Sequence, residues 1–114
     1  MSVKETEIID AIGIEDSTNT LVLLIVDPYT WSVQEYDHLK ALQAKINNYV
    51  RYIEAGGYKK KYGSRSFDGF RIEIEFKYQY SEKALTVFEA GKRQLKERGI
   101  NFRYAVVNAD NDRK

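Results

Sequence analysis

The chain has no cysteine, and only one histidine, one proline and one tryptophan among its 114 residues. Without thiols there is no disulfide, no thiolate nucleophile and no sulfur-ligated metal, a composition that fits a reducing compartment. A lone histidine, His38, leaves only carboxylate metal sites, and no Asp-rich loop with calcium spacing is present. The longest apolar run, Leu21–Val26, falls far short of the roughly 20 residues that span a bilayer. Residues 1–7 lack the apolar core of a signal peptide. Neither charge sign dominates: 18 basic residues face 17 acidic ones, so no global field draws the protein onto nucleic acid or membrane. The glycine-rich phosphate loop and the Gly-x-Ser-x-Gly elbow are both missing. These absences lead us to expect a cytoplasmic protein that is no enzyme, uses no cofactor and binds no membrane.

What is present is a globular pattern. The apolar fraction (43%) and charged fraction (31%) are those of a folded domain, and this length buries about two thirds of the unfolded chain's surface. Residues 8–15 and Thr20–Asp27 read as a strand pair around the turn formers 16–19. Residues 21–26 lack polar alternation, which suggests contact on both faces. Pro28 ends that strand, and Ser32 with Glu35 forms a capping-box pattern opening a helix over 33–55. Trp31 and Tyr36 stand at the spacing of a hydrophobic staple. Leu39, Leu42, Ile46, Tyr49 and Ile53 give the helix one apolar stripe, and Gly56-Gly57 ends it. Residues 56–69 show no period and read as a long, mobile loop. Phe70 to Tyr80 alternate as a strand. Ser81 caps a second helix to about Arg98, with Leu85, Phe88 and Leu95 on its apolar side, and Ile100 to Val106 form a last strand. The expected fold is α+β: a single domain over 1–107, ordered β-β-α-β-α-β, with a frayed polar tail at 108–114. Two helices would cover one face of a four-stranded, mostly antiparallel sheet in a two-layer sandwich.

The chemistry is thin. His38 is expected at the surface or at the boundary of the core, since it sits one residue off the stripe, and Asp37 points elsewhere on the helix. Asp10 shares parity with Ile8, Ile12 and Ile14, which would aim it at the core unless regular pairing begins after it. Asp27 reads as the residue that ends a strand before proline. The candidate protein-binding residues are Leu23 and Ile25 on the open sheet face, with Trp31 and Tyr36 at the helix entry. That face would be either solvated or a homodimer seam. The alternative is a nucleic-acid site in the loop, where Lys59, Lys60, Lys61, Arg65 and Arg71 interleave with Tyr58 and Tyr62. Cations for phosphates and rings for stacking suit a single strand, although the balancing acids deny the domain a basic face. An unidentified protein partner is the favoured reading.

Several segments also resemble a known family. They are Ile9-Asp10-Ala11-Ile12-Gly13-Ile14, then Asp27, Trp31 and His38-Leu39, and then Leu42 through Tyr49. Ile53-Glu54-Ala55-Gly56, Phe76-Lys77-Tyr78 and Phe102-Arg103-Tyr104 continue the pattern. Together they are similar to a family of small bacterial proteins of uncharacterised function. The resemblance implies a bacterial, cytoplasmic, single-domain protein, and transfers no catalytic residue.

Overall fold

The computed structural model describes residues 5–32 and 34–107. Four strands form one sheet in chain order: β1 (Ala11–Glu15), β2 (Thr20–Asp27), β3 (Gly69–Phe76) and β4 (Ile100–Val106). Helix α1 (Glu35–Glu54) and the short α2 (Lys59–Tyr62) join β2 to β3, and α3 (Glu82–Glu97) joins β3 to β4. The fold is α+β, as expected. The expectation of a mostly antiparallel sheet is met only by the β1–β2 hairpin, because β2–β3 and β3–β4 both run parallel. The reason is the connections: a long helix between neighbouring strands carries the chain back to the starting edge, so the next strand repeats the direction. Two right-handed crossovers stepping the same way across a sheet put both helices on one face.

That face holds the core. Leu21, Leu23 and Ile25 of β2 lie beside Ile72 and Ile74 of β3 and Ile100 and Phe102 of β4. Leu39, Leu42, Tyr49, Val50 and Ile53 of α1, with Ala84, Phe88 and Leu95 of α3, complete the same buried cluster. Leu85 does not join it and stays exposed; Ala84 takes the inward position. Helix α3 starts as its sequence signals, with Ser81 Oγ accepting from the Ala84 N–H at 3.1 Å.

Helix α1 begins differently. Its N-cap is Gln34, in the left-handed region at φ 57°, and no side chain caps it. The Ser32–Glu35 box is therefore not used, and the expected start at Val33 lies outside the described residues. Trp31 is buried while Tyr36 is 68% exposed, so the two form no staple. Trp31 stacks instead on His38, centroids 3.7 Å apart, with its edge toward Phe76 and Phe88. Tertiary stacking has outweighed a local cap worth about 1 kcal/mol. The expected tail at 108–114 also lies outside the described residues.

Residues 56–69 are not an unpacked loop. Gly56 turns the chain at φ 73°, and Gly57 lies so close to the Tyr52 ring that a Cβ would stand 2.6 Å from it. Tyr58, Tyr62, Phe67 and Phe70 then pack ring on ring beside the core. Asn19, left-handed at φ 52° in the hairpin turn, holds this segment through its side chain: Nδ2 donates to Ser66 O and Oδ1 accepts from Arg65, both at 3.0 Å.

The register yields a direct test. Leu23→Lys puts a charge into the core and should abolish cooperative thermal unfolding. Leu24→Lys points outward and lies directly across from Glu73, so it should keep the wild-type midpoint within a few degrees. Circular dichroism melts distinguish the two outcomes.

Candidate functional site

Three places collect the residues that could carry function. The first is the sheet face opposite the helices. Strand parity places Ala11 and Gly13 of β1, Val22, Leu24 and Val26 of β2, Arg71, Glu73 and Glu75 of β3, and Arg103 of β4 on this side. The β2 aliphatics are half-buried, and a shallow depression of about 330 Å3 opens over Gly13, Val22, Leu24 and the two glutamates. Leu23 and Ile25, the expected contact residues, face the core and are fully buried. The correction is a shift of one residue, which moves a strand's side chains to the opposite face. No helix among the described residues covers this side.

Arg71 crosses the same face and is itself buried. Its Nη2 donates to Glu15 at 3.1 Å and its Nε to Glu73 at 2.6 Å. The hydrogen bond from Arg71, and after it one from Thr18, holds the Glu15 carboxyl below its ordinary range. The bond to Glu15 in turn raises the guanidinium above its usual value. Arg71 is therefore committed within the sheet.

The second place is the entry to α1. Asp27, fully buried at the end of β2, accepts from the Tyr29 N–H at 3.1 Å and meets His38 Nε2 at 2.6 Å. His38 Nδ1 faces the Thr30 carbonyl at 3.2 Å. Each ring nitrogen thus faces an oxygen of the protein itself, with the donor and acceptor roles set by the tautomer. Neither nitrogen is open to an outside proton, and Trp31 covers one ring face. The histidine expected at the surface or boundary is thus buried, because its aromatic neighbour covers the ring and an internal oxygen meets each nitrogen. Trp31, an expected contact residue, is buried with it, and its indole N–H has no hydrogen-bond partner among the described residues. Tyr36, the other, is freely exposed.

The third place lies under the hairpin. Regular pairing does begin after Asp10, at Ala11, yet the Asp10 side chain is still buried. Its Oδ1 accepts from Lys45 Nζ at 2.7 Å and its Oδ2 from the Val26 N–H at 2.9 Å. Lys45 also donates to the Glu5 carbonyl at 3.0 Å. Tyr49 Oη donates to the Leu24 carbonyl at 2.6 Å and accepts the Asp10 N–H at 2.8 Å. Burial, with the nearby Asp10 charge, pushes the Tyr49 phenol up beyond its normal range, although the Asp10 N–H pulls the other way. The phenol stays neutral and serves as a bridge. A signal for this cluster was in the sequence: His38, Leu42, Lys45 and Tyr49 are spaced four, three and four, a helix face one step round from the aliphatic stripe. A buried lysine on that face invites a buried acid.

The expected nucleic-acid residues are scattered in role. Lys59, Lys60 and Lys61 are exposed on α2, whereas Tyr58 and Tyr62 pack among the neighbouring rings. Arg65 is bonded to Asn19, and Arg71 is fixed by its glutamates. Among the described residues no group of three His, Asp or Glu side chains could hold a metal ion, and no helix is long and apolar enough to cross a membrane.

Fold and surface together define a small α+β domain built on a mixed sheet, with one face under helices and the other uncovered. The chain belongs to a family of unknown function, DUF6572, whose model matches residues 1–108. No curated protein and no solved structure matches it.

Two measurements test these assignments. Lys45→Met, leaving the Asp10 carboxylate buried without its cation, should cost about 3–5 kcal/mol in denaturant unfolding. Adding Asp10→Asn, which keeps an acceptor for Val26, should recover part of that loss. Separately, Arg71→Ala should let the Glu15 carboxyl titrate back toward 4.5, read by NMR. Because the folded value is depressed, the Arg71–Glu15 contribution is present above the ordinary carboxylate range. It fades as pH falls through the depressed value, and this acid-side dependence should vanish in the variant.

Proposed function

We propose that this is a non-enzymatic, cytoplasmic binding module whose uncovered sheet face engages another protein. The observation that carries the reading is the composition of that face. Half-buried Val22, Leu24 and Val26 adjoin the small Ala11 and Gly13, and Glu73, Glu75 and Arg103 border them. An apolar strip with a charged margin is the usual anatomy of a protein contact. The non-enzymatic part is supported by His38, whose ring nitrogens both face internal oxygens. A role as an immunity or accessory factor in a bacterial cell rests on analogy with small cofactor-free α+β domains.

The nucleic-acid alternative has weaker support. Its rings pack against one another instead of offering free faces, and two of its cations are held by side-chain oxygens. Only the Lys59–Lys61 turn is left to contact phosphate.

The test uses tagged chain expressed in its source cells, with washes at moderate salt. A protein retained in stoichiometric amount by the wild type should be lost on Leu24→Lys or Val22→Glu, both folded by circular dichroism. Equal retention would move the contact elsewhere. Light scattering of the same variants reads the homodimer version, in which wild-type mass is twice that of the variants. Nucleic acid that co-purifies and disappears when Lys59, Lys60 and Lys61 become Glu would favour the alternative instead.

A further inference from the structure

On the helix side of the sheet, away from its uncovered face, a groove of about 480 Å3 runs between α1 and α3. Val50, Phe88, Leu95 and Phe102, all core residues, form its deep lining. Its size lies within the roughly 300–1,000 Å3 of small-molecule sites.

The groove is chemically set apart from the helices that build it. Both helices are rich in charged residues, yet none of those side chains lines it. The polar lining groups of α1 and α3 are Gln43, Asn47, Thr86 and Gln94, all uncharged. Arg98, just past the end of α3, also lines it but is bound by both oxygens of Glu54, at 2.9 and 2.5 Å. A charged guest would give up hydration here without meeting a free countercharge. An uncharged one would find amide and hydroxyl partners around an apolar bed.

Gly91 adds a second line of support. It sits inside α3, where glycine weakens a helix relative to any ordinary residue. Its backbone has no positive φ, and an added Cβ would meet nothing within 4 Å. Neither conformation nor crowding calls for glycine at this position. Its missing side chain leaves the groove open.

We propose that the α1–α3 groove is a binding site for an uncharged, largely apolar small molecule. The proposal is independent of the sheet-face reading, since the two surfaces lie on opposite sides of the sheet.

The probe is N-phenyl-1-naphthylamine, a neutral fluorophore, titrated into the full chain. Saturable emission with one site per chain is expected, and its sulfonated analogue should bind at least tenfold more weakly. Gly91→Leu should reduce affinity for the neutral probe at least tenfold while the melting midpoint holds or rises, because leucine is the better helix former. Gln43→Trp, on an exposed position of the opposite wall, should do the same and serves if the leucine variant misfolds. Absence of saturable binding, equal binding of the sulfonate, or unchanged affinity in both variants would overturn the proposal. A fall in solution mass on either substitution would assign the groove to a second copy and overturn it too.

Discussion

The buried contact between Lys45 and Asp10 is the constraint around which the rest is arranged. Two charges taken out of water cost several kcal/mol each unless their remaining lone pairs and protons are also satisfied. Here they are satisfied by backbone. One Asp10 oxygen takes the ammonium and the other takes the Val26 N–H, while the Asp10 N–H goes to Tyr49. The carboxylate thus stands in for the next rung of the β1–β2 ladder, which stops at Ala11 opposite Leu24. By engaging residues four apart on α1, the same cluster also sets the rotation of that helix over the sheet.

That rotation has consequences at both ends. With Lys45 and His38 turned inward, His38 reaches Asp27 and Trp31 can lie flat against it. The aromatic packing then continues through Phe76, Phe88, Tyr80 and Tyr104, with the Tyr104 hydroxyl bonded to Glu89. Ile46, on the stripe expected to be the core, is left only partly buried and lines the groove facing α3. One polar pair therefore influences the helix entry and the groove between the helices.

Much of the fold could be read from residues alone. Thr20–Asp27, the Ser81 cap and the strand after Gly99 fall where an unbroken apolar run before proline, capping chemistry and glycine place them. The surfaces were harder. Residues 21–26 are apolar at every position, so no alternation told Leu23 from Leu24, and the outward set was off by one. Asp10 and His38 announced themselves only as exceptions, an acid with core parity and a histidine beside a stripe. Their partners are 35 and 11 residues away, beyond the reach of any local pattern.

The sequence by itself determined the number and kind of long elements, their order, and the absence of thiol chemistry, because periodicity and turn chemistry act over a few residues. Tertiary structure alone decided the parallel pairing of β2, β3 and β4, the start of α1 at Glu35, and which face of β2 looks outward. Those outcomes depend on side chains far apart in the chain meeting in a water-poor interior. There a charge needs its counter-ion and a ring needs its stack, and the unused Ser32–Glu35 cap was too weak to compete.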